Sequence, residues 1–153
     1  MIVSVKEILD KAKKGGYAVG AFNTINLETT RAIVEAAKEM RSPVIIQITE
    51  KTMEYAGGRG IFQLVKNEVE FYAKEVPIGI HLDHGKSFEI IERAIEIGFT
   101  SVMYDGSRKD YPERAVRFYF GGGGFHVDGG SFDGDGGRSR GMSLVSQNTR
   151  GRK

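Results

Sequence analysis

The hydrophobic and polar positions change period several times before residue 120, and each change predicts an element. GYAVGAFNTIN (16–26) reads as a short buried strand leaving a glycine turn. Asn26 is placed to cap a helix over Leu27–Met40, whose apolar Ile33, Val34 and Ala37 lie on one side. Ser42-Pro43 breaks that pattern. PVIIQIT (43–49) then runs continuously apolar and β-branched, as strands covered on both faces do, and Thr49 ends it. Gly57, Gly58 and Gly60 mark a loop. The next segment, IFQLVKNEVEFYAKE (61–75), carries Ile61, Leu64, Val65, Glu68, Val69 and Tyr72 at helical spacing. The cycle repeats with PIGIHLDHG as strand and loop, and with SFEIIERAIEIG as a helix capped by Ser87 and closed by Gly98. TSVMYDGS follows as strand and loop. Four strands and three helices result.

Strands alternating with helices of this length imply parallel pairing through right-handed crossovers, hence an α/β fold. A doubly wound sheet and a (β/α)8 barrel both fit. In either, functional groups gather where strands end and loops begin. Four candidate polar groups fall at such ends: Asn23, Thr49, His81-Leu82-Asp83-His84 and Asp105-Gly106-Ser107. No GxGxxG or GxxxxGK[ST] follows a strand, which argues against a dinucleotide or nucleoside-triphosphate site.

Composition divides the chain in two. Residues 1–120 hold 10 glycines, and residues 121–153 hold 11. The tail has few apolar residues and a large backbone entropy to lose, so a body over 1–120 and a disordered glycine-rich tail over 121–153 are expected. The body balances 17 Lys+Arg against 17 Asp+Glu, and the net +2 comes from five basic and three acidic tail residues. A neutral body argues against a nucleic-acid footprint. No apolar run has the length of a membrane span and the start has no secretory pattern, so no membrane partner and a cytoplasmic location are expected. The absence of cysteine leaves metal binding to three histidines and the carboxylates.

Two histidines and an aspartate in four positions, HLDH, are notable in so histidine-poor a chain. Along a strand His81 and Asp83 point to one side, while His84 sits at the end and can turn inward. A neutral imidazole suits Zn²⁺, and a carboxylate beside it suits proton transfer. The alternative is a histidine bonded to backbone, with Asp83 capping a turn. Asp105, 21 residues after His84 and at the end of the next strand, can approach the same place, although Asp-Gly-Ser is also ordinary turn chemistry. Thr49 and Asn23 can equally satisfy local backbone groups. Lys86 and Arg108 can bind phosphate or be solvated charge. His126 with Asp128 resembles a metal pair and GGGG a phosphate nest, and both are set aside; no helix follows the glycine run to supply the anion-binding N-terminus such a loop uses.

Taken together, GYAVGAFNTINLE, GIHLDHGKSFE and AIEIGFTSVMYDGS resemble the class II fructose-bisphosphate aldolases and their tagatose-bisphosphate relatives. The likeness runs from the start to about Arg117, roughly the first four βα units of a (β/α)8 barrel of about 250 residues or more. It implies His84 as a ligand of a catalytic zinc, Asp83 as proton donor and acceptor, and Asp105 as a carboxylate for a second divalent metal. It also implies Thr49 and Asn23 as substrate contacts, with Thr49 standing where the family usually has serine. His81 is not a zinc ligand in that pattern, and EKTMEYAGG departs from the family's commoner glycine-alanine loop.

The implied reaction is reversible aldol cleavage of a ketose bisphosphate, fructose or tagatose, without a Schiff-base lysine. The other two zinc histidines, a glutamate and the phosphate loops of the family are not identifiable here. One histidine cannot complete a three-ligand catalytic site, so little activity is expected of the chain alone. A non-enzymatic half-barrel pairing with another chain, or with a second copy as a homo-oligomer, is the alternative. Glycine codons begin GG, so a shifted frame yields only Glu, Val, Ala or Gly triplets. The family has a Glu/Val/Ala-rich helix near this place, and the tail after about Arg117 is therefore expected to be an out-of-frame product.

Overall fold

Four parallel strands and five helices alternate through residues 1–107 of the computed structural model, which also describes the backbone of Val116–Gly121, Gly124–Gly129 and Met142–Leu144. The order is α1 (Val5–Gly15), β1 (Gly20–Asn23), α2 (Leu27–Glu39), β2 (Val44–Thr49), α3 (Glu50–Ala56), α4 (Gly58–Tyr72), β3 (Ile78–Gly85), α5 (Phe88–Ile97) and β4 (Ser101–Tyr104). The three further backbone segments are β5, β6 and β7. β5 pairs antiparallel with β6, and β7 lies antiparallel on β4. The expected tail of 121–153 and the boundary before it lie outside residues 1–107. Of that tail only the backbone of Gly121, β6 and β7 is described.

The expected α/β alternation holds, with three corrections. The first is α1, where the pattern of charges conceals a helix. Val5, Ile8 and Ala12 bury one stripe, Ser4 caps the start by accepting the Lys6 N–H at 3.2 Å, and Gly16 closes the end at φ +68°. The exposed side is laced by a Lys6–Asp10 pair and a Lys11–Glu7 pair at 2.8 Å. α1 packs on β3 at Gly79, where a Cβ would stand 2.5 Å from Val5 Cγ2. Only glycine allows that approach.

The second correction is the glycine loop. Thr49 starts a helix at once: its hydroxyl accepts the Thr52 N–H at 3.2 Å and caps α3. Gly57, at φ +73°, is the joint, and Gly58 and Gly60 already belong to α4. The third is β1, which is not buried. All four of its residues are exposed, and Phe22 keeps 54% of its surface, because β1 pairs only with β2 among the described residues.

The core lies between the sheet and α2, α4 and α5, and contains Val34, Val65, Val69, Ile80, Leu82, Ile91 and Val102. Asn26 and Thr29 form a reciprocal cap for α2, with Thr29 N–H to Asn26 Oδ1 at 3.0 Å. Arg31 of α2 grips Glu68 of α4 through two hydrogen bonds of 2.9 and 3.1 Å and lies over the Tyr72 ring. Burying these apolar faces fixes the strands side by side, and so fixes which polar residues meet at their ends.

Candidate active site

Parallel register brings the candidates onto one end of the sheet. Gln47 pairs with Asn23 on one side and His81 on the other, His81 pairs with Ser101, and Thr49 pairs with Asp83. In-register neighbours face the same way, so Asn23, Gln47, His81 and Ser101 form one polar row and Thr49 with Asp83 the next, nearer the carboxyl ends. Gln47 escaped the sequence reading. Its signal is that it is the one polar residue inside the apolar run PVIIQI.

Strict alternation would send His84 to the face opposite Asp83. Two features prevent this: the β3–β4 register shifts between Leu82 and Gly85, and His84 takes a left-handed backbone at φ +54°. Such a conformation costs a residue with a side chain about 1 to 3 kcal/mol and persists where surroundings enforce it. The imidazole consequently stands between two carboxylates, with Nδ1 2.9 Å from Asp105 Oδ2 and Nε2 3.9 Å from Asp83 Oδ1. The His84 side chain is 56% exposed, against 14% for Asp83 and 20% for Asp105.

Asp105 has its pKa lowered to about 2, first by the Ser107 side chain, then by His84 and by the Ser107 N–H, which donates to Oδ1 at 3.0 Å. An ionised carboxylate only accepts, so Nδ1 of His84 is the donor in their bond, and in the neutral ring the Nε2 lone pair is left free. His81 is buried, and its Nδ1 lies 2.9 Å from Ser101 Oγ. Burial lowers its pKa, against the opposing charge of Asp83 and its bond with Ser101, so His81 is neutral at pH 7.

Thr49 lies beside Asp83, with its hydroxyl engaged in capping α3 and 3.1 Å from Thr52 Oγ1. Asn23 is exposed on the edge strand. The backbone N–H of Lys86 donates to Glu50 Oε2 at 3.0 Å, a carboxylate that sequence reasoning also passed over. Arg108 and the side chains of His126 and Asp128 lie outside the described residues. A cleft of about 920 Å³ lies elsewhere, where Met1 and Ile2 meet Phe62, Lys66 and Phe71 of α4.

Among the described residues no three His, Cys, Asp or Glu side chains converge as a metal site. His84 supplies one suitable donor, Nε2, with two carboxylates alongside. A three-ligand zinc site would need donors from beyond these residues.

Fold and site define an α/β protein with four parallel strands, whose Asp83, His84 and Asp105 lie together at the carboxyl ends of β3 and β4. Residues 3–116 match the family model of the class-II fructose-bisphosphate aldolases, and the chain belongs to that family. It is 50% identical over 111 residues to the fructose-bisphosphate aldolase of Thermus caldophilus, covering 72% of this chain and 35% of that protein. Against the fructose-bisphosphate aldolase of Geobacillus stearothermophilus it is 49% identical over 113 residues, covering 73% and 39%. The crystal structure of the YdjI aldolase from Escherichia coli K12 superposes with a TM-score of 0.66 at 30% identity, over 74% of this chain and 44% of that one. The chain thus spans well under half the length of the relatives it matches. Among the described residues no helix is long and apolar enough to cross a membrane.

Proposed function

We propose that this chain carries the amino-terminal part of a class II aldolase active site, for reversible cleavage of fructose 1,6-bisphosphate to dihydroxyacetone phosphate and glyceraldehyde 3-phosphate. The observation that supports it most is that His84 lies beside both Asp83 and Asp105 at the carboxyl ends of β3 and β4, within a segment about half identical to named fructose-bisphosphate aldolases. His84 would hold zinc through Nε2, and Asp105 would face a second divalent cation with the acceptor capacity that its Ser107 and His84 bonds leave. Zinc, when bound, would supply Lewis-acid polarisation of the ketose carbonyl.

Asp83 is the proton carrier. It takes the proton of the C4 hydroxyl as the C3–C4 bond breaks, and returns one in the condensation direction. Its low exposure keeps water from competing for that proton. Thr49 and Asn23 contact the substrate. Thr49 can do so through the hydroxyl lone pair or proton that capping leaves over. The working environment is the cytoplasm, and the partner is a sugar bisphosphate.

A chimera tests this reading: residues 1–116 of this chain joined to the remainder of the Geobacillus stearothermophilus aldolase. Zinc-dependent cleavage of fructose 1,6-bisphosphate that Asp83→Ala abolishes is expected, with tagatose 1,6-bisphosphate cleaved more slowly. A folded chimera without activity overturns the proposal. The chain alone is expected to be inactive, and zinc-dependent cleavage by it, lost in Asp83→Ala, would refute that. The exposed β1 edge favours a second reading, a half-barrel that pairs with another chain. It predicts an inactive chimera and a chain that associates through β1.

A further inference from the structure

The turn carrying His84 is gripped from both neighbouring strand ends. On the β2 side, Glu50 Oε2 accepts the Lys86 N–H at 3.0 Å. On the β4 side, the Asp105 N–H donates to the Gly85 carbonyl at 2.7 Å, and the Asp105 carboxylate takes His84 Nδ1 at 2.9 Å. Between these grips the regular ladder is interrupted, with the register shifting between Leu82 and Gly85 and His84 at φ +54°. Ordinary strand pairing therefore does not hold this residue in place. Side-chain and end-of-strand contacts do.

We infer that Glu50 is a positioning residue: together with Asp105 it braces the His84–Lys86 turn, holding the left-handed backbone that aims the His84 imidazole between Asp83 and Asp105. Glu50 is not a catalytic residue, since it reaches the site only through the backbone of Lys86. The consequence for metal binding rests on reading His84 as a zinc ligand. The brace itself rests on the hydrogen bonds alone.

A simpler role for Glu50 is an acidic residue in the first turn of α3, favoured by the helix dipole. The two roles separate by substitution, because glutamine keeps the acceptor and loses the charge. In the full 153-residue chain without zinc, the readouts are amide hydrogen exchange at Lys86 and the ¹⁵N shifts of the His84 ring. Glu50→Ala is expected to speed Lys86 exchange about tenfold and to average the His84 ring signals, while Glu50→Gln stays within about twofold of the parent. Ile80 and Leu82 amides, in the buried part of β3, report that each variant is folded.

Unchanged Lys86 exchange in Glu50→Ala overturns the inference, and so does Glu50→Gln falling as far as alanine. Where Glu50→Ala unfolds the chain, Asp105→Ala removes the carboxylate bond of the other grip and keeps the Asp105 N–H bond to Gly85, and retention of the Nδ1–H tautomer of His84 in that variant overturns the inference too. Zinc is added only afterwards. A His84 Nε2 shift that does not respond to zinc in the chimera, which supplies the remaining donors, would count against the aldolase reading and leave the brace standing.

Discussion

The two ends of the same strands are built from opposite materials. At the amino ends, packing and backbone do the work. Val5 and Ile8 of α1 settle on Gly79, Ile2 bridges to Ile78, and the Val3 N–H donates to the Ile78 carbonyl at 3.0 Å. At the carboxyl ends the contacts are polar and partly exposed: Thr49, Glu50, Asp83, His84 and Asp105, with a left-handed residue among them. The difference separates stability from chemistry along one set of strands. An apolar seat tolerates no reagent, whereas charges poised at half-exposed strand ends can meet one.

The largest effect should come from breaking the apolar end. Ile8→Ala removes a side chain 2% exposed and should cost about 2 to 5 kcal/mol of stability, read from urea unfolding of the full chain. A loss below that range would show that α1 is seated more loosely than Gly79 suggests. The converse result is expected of Asp83→Ala in the chimera, where cleavage should fall by about a hundredfold or more while stability changes little. Comparable losses of stability and activity would erase the distinction between the two ends.

Thr49 sharpens the comparison, since it belongs to both accounts. Thr49→Ala should lower stability by about 1 kcal/mol through the α3 cap, and Thr49→Ser should restore it. The smallest effect concerns pH. Asp105 is held at about 2, below an unfolded carboxyl near 3.9. Its contribution is therefore complete above the unfolded value and is lost as pH falls towards 2. Urea unfolding at pH 4 and pH 2 should show a smaller acid loss in Asp105→Asn than in the parent chain. Equal slopes would mean that Ser107 and His84 do not hold the carboxylate ionised.

Much of the site was legible in the chain because parallel α/β folds place strand ends together, so HLDH and Asp105 could be assigned to one neighbourhood from their positions alone. Their mutual geometry was legible only in outline, as an inward turn open to His84 at the strand end. Alternation of side chains sends His84 away from Asp83, and only the register shift and the positive φ bring it back. Gln47 and Glu50 were missed for a related reason: one hides in an apolar run, and the other falls where a loop rather than α3 was expected. Each acquires meaning from a neighbour some 34 to 36 residues away, His81 for Gln47 and Lys86 for Glu50.

The residues by themselves determined the α/β alternation, the caps at Asn26 and Ser87, the close of α5 at Gly98 and the family motifs, because these follow from local periodicity and short-range hydrogen bonding. Tertiary structure decided that α1 is a helix seated on β3 by one apolar stripe, that β1 is an exposed edge among the described residues, and that His84 bonds Asp105 while Glu50 holds the turn beside it. Those outcomes depend on which segments lie next to one another. Burial and pairing are properties of neighbours, and a single chain read in order does not contain them.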